Sequence, residues 1–222
     1  MEKTKENDFV EIEYTGYSDG KVFDSNIPED LKKINPEAKV QKTEIIIGQN
    51  MVVPGLDKAL PDKEVGKEYD VKVPSKDGFG PRNRDLIKTI PLSSFKKHNM
   101  NPQPGMVVFL DNNLAKILSV SGARVIADLN NPMAGKDLEY KFKIKRIITD
   151  TKEKTEAFFN GFFRHVPEFE VKDKVTVKGT KEMKALIDMF KPRFKELVGK
   201  DLDFKEEMPK KEADSNKTPS PQ

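Results

Sequence analysis

Residues 9–25 read FVEIEYTGYSDGKVFDS, and this stretch decides the fold. From residue 10 to residue 14 apolar side chains alternate with glutamates, a period of two that is typical of a strand with one face in a core. Asp19 and Gly20 then form a pair that tolerates the positive φ of a tight turn. Because apolar residues resume at Val22, the stretch predicts a β-hairpin near the start of the chain.

The next segments predict further strands and one short helix. Residues 43–47 are rich in β-branched side chains, and residues 69–73 and 138–144 alternate between apolar and charged side chains, so all three predict strands. Residues 56–60 follow a proline and predict a short helix. Residues 27–42 are polar and contain two prolines, which predicts an irregular excursion.

The composition changes at residues 84–129, where charge falls and apolar residues cluster. A segment of about 45 residues is too long for a loop within a compact domain. It is therefore predicted to be a small domain of short strands, inserted between the parts of the chain that flank it.

The period changes again after residue 150. Residues 151–208 predict a C-terminal domain with a phenylalanine-rich helix, a short hairpin, a second amphipathic helix with a kink or break at Pro192, and a last strand. Residues 209–222 are dominated by lysine, glutamate, serine and proline and predict a disordered tail. The amount of apolar surface is large for a domain of this size, which predicts a homodimer contact or an exposed surface that binds other chains.

Composition excludes several classes of function. The chain has 40 lysines and arginines against 37 aspartates and glutamates, so its net charge of +3 does not predict a nucleic-acid partner. It has no run of about 18 apolar residues, so no membrane span or membrane partner is predicted. Its charged start lacks an apolar signal core, which predicts a cytoplasmic protein.

The chain also contains no cysteine and only two, widely separated histidines. The first fact excludes disulfides, thiolate metal sites and cysteine nucleophiles. Two isolated histidines are typical of ordinary surface or loop positions rather than a metal site, so no metal and no cofactor are predicted.

Five segments resemble FK506-binding-type (FKBP) prolyl isomerases, in the order in which that family has them. Residues 12–25 resemble the family's opening hairpin, and residues 47–60, IGQNMVVPGLDKAL, resemble the approach to its short helix. Residues 65–67, 77–80 and 131–144 resemble the strand, the loop and the last strand that follow. The resemblance covers residues 8–148 without the insert.

The position of the insert is similar to that in SlyD-like, long prokaryotic members, where the inserted domain binds unfolded chains. Residues 151–208 resemble, mainly by position, the extra domain of the longest archaeal-type members. The resemblance implies an α+β protein with an antiparallel β half-barrel wrapped on a short helix. It divides the chain into a discontinuous isomerase domain (1–83 and 130–150), the insert (84–129) and a C-terminal α+β domain.

The resemblance also implies the site. The pocket for the prolyl ring is lined by Tyr14, Phe23, Asp24, Val52, Val53, Leu56, Phe79 and Tyr140. The Asp24 carboxylate lies near the prolyl carbonyl group, and the Val53 N–H holds the carbonyl after the proline. In the insert, the residues expected to hold unfolded chains are Met100, Met106, Val107, Val108, Phe109 and Leu110.

Two pocket positions depart from the family. Leu56 stands where larger members often have tryptophan, and Phe79 stands where a tyrosine often donates a hydrogen bond. Both changes argue against tight binding of the macrolide drug. The nickel binding of SlyD-like members belongs to a tail rich in histidine and cysteine, and residues 209–222 contain neither.

The implied function is peptidyl-prolyl cis-trans isomerisation in unfolded or nascent chains, coupled to chaperone binding by the insert. Rotation about an X–Pro bond has a barrier near 18–20 kcal/mol and needs no nucleophile, so a dry apolar pocket that favours the twisted state is sufficient. The alternative is a catalytically weak holdase or a partner-docking module on the same fold. Phe79 favours that alternative, and the retained pocket set favours the enzyme.

Overall fold

The computed structural model describes residues 2–110 and 113–207. The strands are β1 (Phe9–Ser18), β2 (Lys21–Ser25), β3 (Thr43–Ile46), β4 (Glu68–Val73), β5 (Ile87–Pro91), β6 (Val107–Leu110), β7 (Asn113–Ser121), β8 (Arg124–Asp128), β9 (Leu138–Ile147), β10 (Phe169–Val171), β11 (Val175–Gly179) and β12 (Leu202–Glu206). The helices are α1 (Pro28–Ile34), α2 (Pro54–Asp57), α3 (Leu92–Lys97), α4 (Thr151–Phe163) and α5 (Lys181–Val198). The architecture is α+β.

The main sheet has the order β2-β1-β9-β4, with β3 paired to β1. Strands β1 and β9 are antiparallel and bring Gly16 opposite Tyr140 and Tyr14 opposite Phe142. One face of the sheet packs on α2 through a buried cluster to which Leu56 belongs. Because β9 follows residues 87–128 in the chain but lies beside β1, the main sheet is completed by two separate parts of the sequence.

The structure differs from the prediction at residues 27–42, where α1 forms. The prolines suggested irregular chain, but Pro28 lies in the first turn of the helix, where its missing N–H breaks no hydrogen bond. Acidic residues lie in the first turn and lysines in the last, which suits the helix dipole. Helix α1 buries no residue. Its sequence therefore lacks the long apolar stripe from which an amphipathic helix is predicted. Helix α2 also begins earlier than predicted, at Pro54.

Strands β5 to β8 form a separate antiparallel sheet with the order β5-β8-β7-β6. Its own core contains Phe95, Ile117 and Val125. The sequence predicted strands alone, but α3 is a helix of six residues that places the fully buried Phe95 against this sheet. A helix this short shows too little of its period to be recognised from sequence.

Two connections join this sheet to the main one and are tied to each other. Asn83 and Asn130 exchange two hydrogen bonds: the Asn83 N–H donates to Oδ1 of Asn130 at 2.8 Å, and Nδ2 of Asn130 donates to the Asn83 carbonyl at 2.9 Å. Beside them Arg82 forms an ion pair with the buried Asp128. These contacts restrain both segments where the chain enters and leaves the inserted sheet.

The C-terminal part contains α4, α5 and the sheet β10-β11-β12, in which β11 and β12 are parallel. The rings of Phe158 and Phe194 lie 5.0 Å apart in its core. The same buried cluster includes Phe9, Ile46 and Ile148, so this part packs directly against the main sheet.

Helix α5 runs unbroken through Pro192, so of the kink or break predicted there the break does not occur. Phe190 and Phe194 pack into the core on either side of Pro192 and compensate for the missing backbone hydrogen bond. Gly199 caps the helix with a φ of 80°. The predicted disordered tail, residues 209–222, lies outside the described residues. No helix in the described part of the chain has both the length and the apolar character needed to cross a bilayer.

Candidate active site

A cleft of about 350 Å³ opens on the main sheet beside α2. It is lined by Tyr14, Asp24, Asn50, Met51, Val52, Val53, Leu56, Phe79 and Tyr140. Seven of the eight pocket residues expected from the sequence therefore lie together. The eighth, Phe23, packs against two of the lining residues, with its ring centroid 5.9 Å from that of Tyr140 and 6.1 Å from that of Phe79.

A glycine in β1 allows these rings to approach. A Cβ atom at Gly16 would lie 2.9 Å from the rings of both Phe23 and Tyr140. That contact is closer than packed carbon atoms permit, so the aromatic wall depends on the missing side chain. The sequence analysis did not assign Gly16 a role. A glycine within a strand indicates that another group packs close to the backbone, but the sequence does not show which group that is.

Tyr14 and Asp24 form the polar edge of the cleft. The Tyr14 hydroxyl donates a hydrogen bond to Oδ2 of Asp24 at 3.0 Å. Burial, and secondarily the Asp24 charge, raises the pKa of the Tyr14 hydroxyl well above its ordinary value. The same two causes raise the pKa of Tyr140. Both hydroxyls therefore stay protonated at neutral pH and remain hydrogen-bond donors.

Leu56 forms the buried floor of the cleft and is carried by α2. Val53 precedes this helix, and its carbonyl accepts the N–H groups of Leu56 at 2.9 Å and Asp57 at 3.0 Å. Its own N–H has no acceptor within the described part of the chain. A main-chain donor beside an apolar floor can hold a substrate carbonyl while the floor holds a prolyl ring.

The buried Asp57 fixes the loop before α2. Its carboxylate accepts the N–H of Gly48 at 2.9 Å and that of Asn50 at 2.8 Å. These two bonds hold residues 48–50 at the mouth of the cleft. The sequence analysis missed Asp57, and an acidic residue on the apolar face of a predicted helix was the available signal.

The structure separates the six insert residues expected to hold unfolded chains. Phe109 and Val107 are 70% and 58% exposed, and Met106 is exposed as well. Met100 and Leu110 pack partly against the insert core.

Val108 must be removed from the exposed set, because its side chain is only 6% exposed and belongs to the insert core. Successive residues of a strand point to opposite faces, so Val107 and Phe109 share the outer face. Leu114 lies opposite Phe109 on β7 and is 55% exposed, and it adds to this face. The sequence analysis did not include Leu114 among the residues expected to hold unfolded chains.

The fold is α+β, with a main sheet packed on one short helix and a cleft lined by aromatic and apolar side chains beside that helix. The model of the FKBP-type peptidyl-prolyl cis-trans isomerase family matches residues 1–94, and the model described as FKBP26, IF domain, matches residues 88–133. The chain belongs to the FKBP-type peptidyl-prolyl cis-trans isomerase family, and it is an isomerase. The family recognition made from the sequence is confirmed.

Curated relatives agree with this assignment. The short-type peptidyl-prolyl cis-trans isomerase of Methanocaldococcus jannaschii is 33% identical over 146 residues, which cover 64% of this chain and 93% of the relative. The FKBP-type peptidyl-prolyl cis-trans isomerase SlyD of Helicobacter pylori is 28% identical over 149 residues, covering 65% of this chain and 74% of the relative. SlyD of Treponema pallidum is 29% identical over 143 residues, covering 62% and 74%. The isomerase acts on polypeptides that contain proline.

Proposed function

We propose that the protein accelerates cis–trans isomerisation of X–Pro bonds in unfolded or nascent chains and that the outer face of the inserted sheet holds those chains. In this division, residues 1–83 and 130–150 act as the isomerase domain and residues 84–129 as the chaperone domain. The observation that carries the proposal is the aromatic cleft on one sheet together with an exposed apolar face on the other.

In the cleft, the prolyl ring sits on Leu56 between Tyr14 and Tyr140. The Val53 N–H holds the carbonyl after the proline, and the Asp24 carboxylate lies near the prolyl carbonyl group. The planar amide is stabilised by resonance, whereas the twisted amide has lost that resonance and is less polar along the C–N bond. A dry pocket with fixed dipoles therefore binds the twisted state better than the planar state, which lowers the barrier.

The outer face of the inserted sheet, formed by Val107, Phe109 and Leu114, supplies a second attachment point. A chain held there stays near the cleft, so its X–Pro bonds meet the isomerase at a raised effective concentration. We expect kcat/KM for the refolding of a protein limited by an X–Pro bond to exceed that for an Ala-Leu-Pro-Phe peptide by about 100-fold or more. Refolding fluorescence and NMR exchange spectroscopy measure the two values. Equal kcat/KM values for the refolding protein and the peptide would show that the inserted sheet does not assist the isomerase cleft.

We also propose that residues 151–208 mediate a homodimer. The phenylalanines that suggested a free apolar surface are largely packed inside, since Phe158 and Phe159 are fully buried. The apolar side chains left on the outside of α5 are Leu186 and Met189, 43% and 66% exposed. They lie three residues apart and therefore share one face of the helix. The cytoplasmic location stays a prediction.

Sedimentation velocity tests the dimer. We expect the full chain to sediment as a dimer and the Met189→Asp variant as a monomer, because an unpaired carboxylate cannot be buried in an apolar contact without a large cost. Lys181→Asp, at the exposed start of α5, is the matched control and should stay dimeric. A full chain that is monomeric at high concentration would overturn the proposal.

A further inference from the structure

A second groove, of about 550 Å³, lies next to the active-site cleft. Asn50 and Met51 line both spaces, so the two lie side by side at these residues. One wall of the groove is β3, and the other is the end of α4 with Asn160 and Phe162. The C-terminal part of the chain thus borders a space that adjoins the isomerase cleft.

The β3 wall presents a free strand edge. Within the described residues β3 pairs with β1 alone. The Ile46 N–H lies 3.3 Å from Sδ of Met51, and the Ile46 carbonyl accepts the Gln49 N–H at 3.3 Å, so both groups point away from β1. Backbone polar groups alternate between the two edges along a strand. The N–H and C=O of Glu44, two residues earlier, therefore point to the same free edge, which faces the groove.

The direction of the client chain follows from Val53. In the proposed complex its N–H holds the carbonyl after the proline. The loop from Val53 back to Asn50 leads from that point to the residues that line both cleft and groove. The residues that follow the proline are therefore the ones that reach the β3 edge.

We propose that the groove binds the extended segment on the C-terminal side of the client's proline, as a strand added to β3. Main-chain hydrogen bonds to Glu44 supply the affinity, in the way that sheet edges capture peptides. This inference rests on the proposed use of the cleft and adds a substrate-binding subsite to it, with α4 as its outer wall.

The lining suits a client of any sequence. The cations Lys42 and Arg164 line the groove together with the anion Glu44 and the neutral amide of Asn160, so no single side-chain type is favoured. Met51 lies between cleft and groove and packs so close to α4 that a Cβ at Gly161 would lie 2.3 Å from its Cε. A flexible thioether at this position adapts to different client residues.

The test compares three peptides on the full chain by NMR exchange spectroscopy. One is Ala-Leu-Pro-Phe, and the others carry the same five-residue extension of serine, threonine and asparagine either after or before this core. The polar extension gives the apolar face of the insert nothing to bind. We expect the extension after the proline to raise kcat/KM about 10-fold, as two added main-chain hydrogen bonds predict. The extension before it should have no such effect.

Two further measurements identify the contact. N-methylation of the amides in the extension removes main-chain donors, and we expect it to return the ratio of long-peptide to short-peptide kcat/KM to about one. Asn160→Trp fills the groove from an exposed position of α4 and should lower the same ratio. Lys152→Trp, exposed on the same helix and away from the groove, is the control and should keep the ratio of the unmodified chain.

The outcomes separate this inference from the proposed function. A ratio near one in the unmodified chain, or an equal gain from both extensions, overturns the groove while leaving the isomerase intact. If none of the peptides is accelerated, the proposed cleft chemistry fails instead. In that case, shifts of the Glu44 and Asn160 amide resonances on addition of the extended peptide still decide whether the groove binds it.

Discussion

Replacing Asp24 by alanine is expected to lower kcat/KM for an Ala-Leu-Pro-Phe peptide about 10- to 100-fold. Hydrogen bonds to charged groups contribute about 1.5–3 kcal/mol, which corresponds to that range of rates. The carboxylate holds the Tyr14 hydroxyl at 3.0 Å and places a negative charge at the cleft edge. When the amide twists, the carbonyl carbon loses electron density from nitrogen, so a fixed negative charge nearby favours the twisted state.

The effect should appear in kcat more than in KM, because the interaction strengthens in the transition state. Asp24→Asn keeps an acceptor for Tyr14 without the charge, so its activity separates electrostatics from positioning. Tyr14→Phe combined with Asp24→Ala should lose less than the sum of the two single changes, since both residues share one hydrogen bond. Asp70→Ala removes an equal charge from an exposed position on β4 outside the cleft and is the control. If Asp24→Ala is as active as this control, Asp24 has no role in the reaction.

The strands that build the site could be read from the sequence because their side chains alternate. In β9, Tyr140 and Phe142 point into the core while their charged neighbours face outward, and in β1 the same alternation brings Tyr14 to the cleft. Each strand carries its own period, so no knowledge of its partner was needed. The pairing of β9 with β1 across the insert came only from the family resemblance.

Other features depend on contacts between distant residues and are not encoded in a local period. Gly16 gains its importance from Phe23 and Tyr140, and Asp57 gains its importance from the loop amides that it accepts. In β6 the alternation places Val108 on the opposite face of the strand from Val107 and Phe109. It does not show which of the two faces is buried in the insert core. Helix α3 and its residue Phe95 decide that, and the sequence analysis did not predict α3.

The second large effect is expected at the outer face of the inserted sheet, where Phe109→Ser should weaken the capture of unfolded chains about 10- to 100-fold. Full burial of a phenylalanine side chain contributes about 1.5–3 kcal/mol, and Phe109 is the most exposed large apolar residue of β6. Its side chain lies beside that of Leu114 across the strand pair, so the two form one contact surface. Suppression of client aggregation, measured by light scattering, should fall accordingly.

The ratio of kcat/KM for a refolding protein to kcat/KM for a short peptide identifies the cause. If the face delivers clients to the cleft, Phe109→Ser lowers this ratio, because only the long client uses the second attachment point. Ile34→Ser removes an exposed apolar side chain from α1, away from both sites, and should leave the ratio unchanged. Thermal unfolding should be unaffected in both variants, since neither side chain is buried. An unchanged ratio with lost aggregation suppression would mean that the insert holds chains without passing them to the isomerase, and chaperone binding and isomerisation would then be independent functions of one chain.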